Sequence, residues 1–239
     1  NWPSCMIYLC SMSDLFHEDF LVDFIQSVFN VMNETPQHTY VFTTKRSKRM
    51  VELVDQLTWS ENIWPGVSVE NQDYVWRIED LKKVPAQTRV VAFEPLLGPI
   101  HDVDLTGIHW IITSAETGPG AGPFDLDWMR SVRDLALEYQ IPFYVARLNT
   151  VMAKLYGRSL DGILWEQKPT KYTETNENMS VGEPLEFTEK ESTHAKKRPY
   201  RKDIPAGFVP FSAPRPTSLS DEEFEWVSKF LSFLNGETS

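Results

Sequence analysis

The sequence predicts an α/β fold, a partial parallel β/α barrel of about six strands with a C-terminal extension and a docking helix. Three observations predict it. Short β-rich apolar runs alternate with amphipathic helical stretches over the first 150 residues. Most of these runs are continuously apolar, as strands buried on both faces are. Each run also ends in polar or charged residues, as parallel strands do where their carboxyl ends open onto one ligand crevice.

The strands are expected at 6–12, 39–43, 63–69, 89–93, 110–113 and 142–145. Helices are expected between them. Residues 19–32 carry Phe20, Phe24, Val28 and Met32 at helical spacing, and 47–57 carry Met50, Leu53, Val54 and Leu57. Residues 74–84 carry Val75, Ile78 and Leu81, and 125–140 carry Trp128, Val132, Leu135 and Tyr139. The link 95–109 reads as a loop. Six strands suit an open barrel or a doubly wound sheet, and the recurrence of polar strand ends favours the barrel.

The candidate functional residues follow from those strand ends. The first strand ends in Ser13 and Asp14, with His17 just beyond; the second ends in Thr44, Lys45 and Arg46. The third ends in Ser68, Glu70 and Asn71, the fourth in Glu94 before Pro95. The fifth ends in Ser114 and Glu116, then the glycine-rich run Gly118, Gly120 and Gly122; the sixth ends in Arg147 and Asn149. Glu70, Glu94 and Glu116, with the cations Lys45 and Arg147, are expected to converge on one crevice. Asp14, Lys45, Glu70, Glu94 and Glu116 are the catalytic candidates. Ser13, Asp14, His17, Lys45, Arg46, Asn71, Glu94, Glu116, Gly118 and Gly120 are the ligand-binding candidates. Glu94 is the best single one, since Pro95 fixes the backbone just beyond it. The loop 117–123 could offer backbone amides to an anion, but it is neither a Walker loop nor G-x-G-x-x-G. Turn chemistry is the plainer reading of any one of these residues.

Composition narrows the classes. The 239 residues are 41% hydrophobic and 24% charged, a globular composition with a formal charge of −11. Such a charge repels phosphate backbones at long range, so nucleic acid is a possible partner that net charge does not support. Two cysteines, Cys5 and Cys10, exclude a disulfide framework and read as buried free thiols on one strand, facing opposite sides. No run is long enough for a membrane span, and no signal peptide is visible. An intracellular place, cytoplasm or organelle matrix, is expected. The chain begins at Asn1 rather than Met, as a processed form or an incomplete N-terminus would. The histidines lack metal-ligand spacing, so no metal site is expected.

The barrel portion is expected over 1–168, with 156–168 as a closing segment. Residues 169–217 turn polar and proline-rich, an extended or disordered linker with a basic cluster at Lys196, Lys197, Arg198, Arg201 and Lys202. Residues 218–239 read as an amphipathic helix, opened by a capping box of Ser220 and Glu223 and closed near Gly236. With the tail it is the expected contact with a protein partner.

Six ordered motifs carry a resemblance: CSMSDLFHED, TPQHTYVFTTKR, NIWPGVSVEN, FEPLLGPI, AETGPGAGPFDLDWMRSVRD and GRSLDGILWEQKP. Together they resemble a phage-associated, radical-SAM-like family of unassigned activity, known for a three-cysteine motif near its N-terminus. The match covers roughly residues 6–170. The resemblance implies a radical-SAM/TIM-like barrel, three thiolates on a [4Fe–4S] cluster, and S-adenosylmethionine cleaved to a radical at the open iron. The family's phage context suggests nucleic-acid modification. The cysteine motif would stand upstream of the first strand seen here. With two cysteines the chain cannot itself supply three thiolates. A cluster and S-adenosylmethionine are therefore expected only with an upstream cysteine motif. Ser114 and Ala115 replace the family's two glycines, and Ala146-Arg147-Leu148-Asn149 replace its lysine-glutamine-tryptophan-glycine run.

These departures lead to the expected function, a non-catalytic barrel serving as a structural or interaction subunit of a larger assembly. Two alternatives stand beside it. One is the C-terminal part of a radical-SAM-like enzyme, which could modify nucleic acid. The other is a barrel that binds S-adenosylmethionine or another small molecule.

Overall fold

The computed structural model describes residues 3–148 and 159–169. They fall within the first of two units, Asn1–Leu185 and Glu186–Ser239. The expected basic cluster, the terminal helix, the linker beyond Pro169 and Asn149 lie outside the described residues.

The elements are β1 (Met6–Leu9), α1 (Val22–Glu34), β2 (Thr39–Thr44), α2 (Ser47–Glu52), β3 (Ile63–Ser68), α3 (Trp76–Lys82) and β4 (Val90–Leu96). There follow β5 (Trp110–Ala115), α4 (Leu126–Glu138), β6 (Phe143–Arg147), β7 (Ser159–Leu160) and β8 (Ile163–Leu164). The first six strands form one sheet in the order β1-β2-β3-β4-β5-β6, every pair parallel. The order never reverses, so the sheet winds in one direction and curls into a half-barrel; a doubly wound sheet would carry a switch point.

Pleating sorts the strand residues onto two faces. Val41, Trp64, Val90, Ala92, Trp110 and Ile112 cluster on the concave face, with Tyr144 and Ala146 against them. Their neighbours in sequence turn to the helices. Phe42 meets Phe29 of α1 with ring centres 6.1 Å apart and Phe16 at 5.9 Å. Phe16, Phe29, Phe42, Phe93 and Phe143 are all fully buried. Truncating any one to Ala removes about 3–5 kcal/mol on general experience. Gly66 of β3 is required where it stands: a Cβ there would lie 2.8 Å from the Val90 carbonyl oxygen.

Several boundaries differ from the sequence reading. β1 stops at Leu9, because Cys10 enters the left-handed region (φ 56°) and the chain turns. Cys5 and Cys10 therefore flank β1, and both are half-buried where full burial was expected. α1 begins at Val22, after turns through His17 and Phe20, and buries Phe24, Ile25, Phe29 and Met32. α2 ends at Glu52 and tightens into a 3-10 turn at Val54–Gln56. α3 is preceded by a second 3-10 turn, Gln72–Tyr74, capped by the Asn71 side chain. α4 is capped by Asp125, and its deepest residues are Met129, Val132 and Ala136. β4 runs on through Pro95 to Leu96, taking two residues from the expected loop, and the Glu94–Pro95 peptide is cis.

Residues 159–169 end the described chain with a hairpin. Asp161 and Gly162 both have positive φ (54° and 78°) between β7 and β8, the conformation a two-residue hairpin turn needs. The chain then runs antiparallel along β6: Val145 donates to the Trp165 carbonyl at 2.9 Å and Gln167 to the Phe143 carbonyl at 3.2 Å. The β6 edge is thus covered. Asp161 fixes the hairpin to α4 through Arg130 and Arg133, each 2.6 Å away.

Candidate functional site

A cavity of about 750 Å3 lies in the concave face, lined from strand starts such as Met6 and Trp110 to the strand ends. Alternation along the strands selects its walls. Met6 and Tyr8 come from β1, Trp110 and Ile112 from β5, Tyr144 and Ala146 from β6, and Lys168 from the antiparallel segment. The turn after β1 adds Cys10, Ser13, Asp14 and His17; the other strand ends add Lys45, Arg46, Ser68, Glu94 and Arg147.

Asp14 is a structural clamp at the rim. Its carboxylate accepts from Phe16 N at 3.0 Å, Thr44 Oγ1 at 2.7 Å, Lys45 N at 3.0 Å and Arg46 Nη1 at 3.0 Å. The turn after β1 is thereby tied to the end of β2. Arg46 also donates to Glu18 at 2.9 Å. His17, half-exposed, accepts from Asp19 N at 3.3 Å, and its carbonyl receives Arg49.

Glu94 stands inside the cavity. Ser114 Oγ donates to its Oε1 at 2.9 Å, and Arg147 Nη2 approaches the same oxygen at 3.3 Å. Tyr8 shares a 3.1 Å hydrogen bond with Thr43. Burial pushes the Tyr8 phenol up to about 12, the Glu94 charge adds to the rise, and the Thr43 bond opposes it. The hydroxyl therefore stays protonated across the physiological range. Burial likewise raises the Cys10 thiol, with the Asp14 charge adding and Ser13 opposing. Trp110 meets Tyr144 edge-on at 6.0 Å, and Lys168 Nζ stands 5.9 Å over the Tyr144 ring.

The other candidates do not join this group. Glu70 is buried away from the cavity, held between Lys45 at 2.6 Å and Arg77 at 2.8 Å, so it reaches the cavity only through Lys45. The Arg77 guanidinium stacks on Tyr74 at 4.2 Å. Asn71 caps its own turn by accepting from Asp73 N at 2.9 Å. Glu116 accepts from Gly122 N at 2.8 Å and closes the loop of Gly118 and Gly120 on itself. Sequence reasoning about strand ends missed Tyr8, Trp110, Ile112, Tyr144 and Lys168. The first four sit within strands, and the alternation of each strand is the signal that marks them.

The cluster implied by the resemblance can be tested against these residues. Cys10 opens into the cavity, whereas Cys5 sits at the other end of β1, its Sγ 3.3 Å from His38 Nδ1. Among the described residues no group of three or more His, Cys, Asp or Glu is placed to hold a metal ion. The residues of this chain do not fit a three-thiolate cluster. The cavity offers an aromatic wall and side chains of both signs of charge. Among the described residues no helix is long and apolar enough to cross a membrane.

Fold and cavity together define a parallel α/β half-barrel with a cavity in its concave face. The chain belongs to the family described as protein of unknown function (DUF5131), whose profile matches residues 2–169. No curated protein and no solved structure matches the chain.

Proposed function

We propose that this chain is a radical-SAM-type half-barrel that binds a small molecule in its concave cavity and serves a larger assembly without cluster chemistry of its own. S-Adenosylmethionine is the first ligand to test. The observation that carries the reading is the cavity of about 750 Å3, walled by Tyr8, Trp110 and Tyr144 and rimmed by Asp14, Lys45, Glu94 and Arg147. This volume lies within the range of small-molecule sites, and an apolar body with few polar groups is their usual composition.

Calorimetric titration with S-adenosylmethionine tests the proposal. One ligand per chain is expected, and the Ala146→Trp variant, which fills the cavity from β6, should abolish the heat. Absence of heat at millimolar ligand, or unchanged binding by Ala146→Trp, overturns it.

A further inference from the structure

We propose that Cys5 and His38 form a reactive thiol site, where a low-molecular-weight disulfide modifies the protein by thiol–disulfide exchange. Cys5 Sγ stands 3.3 Å from His38 Nδ1, within hydrogen-bond reach for sulfur. The two residues are 33 positions apart, and the ladder of β1 with β2 brings them together. Thr39 N donates to the Cys5 carbonyl at 3.0 Å, just before that ladder begins. Asn62 Nδ2 donates to the His38 carbonyl at 3.1 Å, and the His38 ring meets Tyr40 edge-on at 6.3 Å. The imidazole is thus buried and held, whereas the thiol is only half-buried and stays within reach of a small reagent. A thiol beside a base that its surroundings orient is the arrangement that makes a nucleophile.

In the reaction His38 Nδ1 accepts the Cys5 thiol proton, and the thiolate attacks one sulfur of the disulfide. A new sulfur–sulfur bond forms at Cys5 as the old one breaks, and the departing thiolate takes the proton back from His38. The disulfide is reduced as Cys5 is oxidised, so no further oxidant enters. The product stays a mixed disulfide. Cys10, the chain's other cysteine, stands beyond the four residues of β1. At the rise of a strand that is about 16 Å, against at most about 7 Å between the Cα atoms of a disulfide. The two thiols also differ in setting. Cys10 opens into the cavity, where burial and the Asp14 charge favour its protonated form. Cys5 lies outside the cavity, so its modification does not need the ligand site.

Oxidised glutathione, with the adduct followed by intact mass, tests the site on two variants of the full chain. Cys10→Ser keeps Cys5 alone, and Cys5→Ser keeps Cys10 alone. At neutral pH Cys5 should form its adduct at least about tenfold faster than Cys10. Adding His38→Gln should slow the Cys5 adduct about tenfold, with circular dichroism unchanged, and leave the Cys10 rate as it was. A merely packing role for His38 gives the opposite sign, because losing it uncovers the thiol and speeds the reaction. The comparison of the two cysteines needs no change at His38 and stands whether or not that variant folds. Equal rates at the two cysteines, or a Cys5 rate that His38→Gln leaves alone or raises, overturns the site.

Discussion

Asp14 illustrates how one side chain can be conspicuous in the sequence and still need the fold to explain it. Its position after an apolar run marks it as a strand-end carboxylate, a candidate for catalysis. In the folded chain its oxygens accept four hydrogen bonds, three of them from residues about thirty positions away. Its side chain is only 11% exposed. We expect Asp14→Ala to lower stability by about 2 kcal/mol, because it leaves the buried Thr44 hydroxyl, the Phe16 and Lys45 amides and one Arg46 nitrogen without their acceptor. Denaturant unfolding would measure this; a loss under about 1 kcal/mol would show that the clamp is not needed. Glu94 is the converse case. It has one neutral donor and one long ion pair, and it faces the cavity, so its substitution is read in binding more than in folding.

At the scale of elements, the curl of the sheet depends on how closely β2, β3 and β4 approach. Gly66 allows that approach: a Cβ would meet the Val90 carbonyl oxygen at 2.8 Å, Thr43 Cγ2 at 3.0 Å and the Phe42 carbonyl oxygen at 3.1 Å. Two of the three obstacles are backbone and cannot rotate away. Gly66→Ala should cost about 2–3 kcal/mol, within the range of overpacked cores. A thermal melt of the variant measures it, and an unchanged melting temperature would mean that the strands shift freely. The hairpin of β7 and β8 behaves differently. Its Asp161 clamp to Arg130 and Arg133 is partly exposed, so it positions the segment covering β6 more than it stabilises the whole.

At the scale of the whole molecule, pH acts through His109 at the start of the β4–β5 ladder. Its Nδ1 accepts from Arg89 N at 3.1 Å, and burial, then the Arg89 charge, hold its pKa below the ordinary 6.5. The unfolded chain takes up this proton first as pH falls. The stability His109 contributes is therefore complete above pH 6.5 and is lost as pH falls through its lower folded value. Denaturation midpoints of the wild type and His109→Gln, compared between about pH 7.5 and 5.5, should converge as pH drops. A pH-independent difference would sink this. Taking the difference removes the general effect of a net charge of −11 relaxing toward the pI near 4.9.

The sequence by itself determined the order and kind of the first six strands and the four helices, because apolar periodicity and polar strand ends are local properties of the chain. Of the strand-end residues it singled out, Ser13, Asp14, His17, Lys45, Arg46 and Glu94 line the cavity. It could not say which strand-end residues would satisfy one another. Glu70 turns into the wall to meet Arg77, and Glu116 folds back onto its own loop, since each finds a donor closer than the cavity. Nor could it say which face of each strand becomes concave, which is why Tyr8, Trp110 and Tyr144 were not foreseen. That choice is made when six registers and the sheet's twist combine, bringing together Glu94, Ser114 and Arg147 from three strands. The pairing of charges across a cavity is a property of that curvature, and only the tertiary structure decides it.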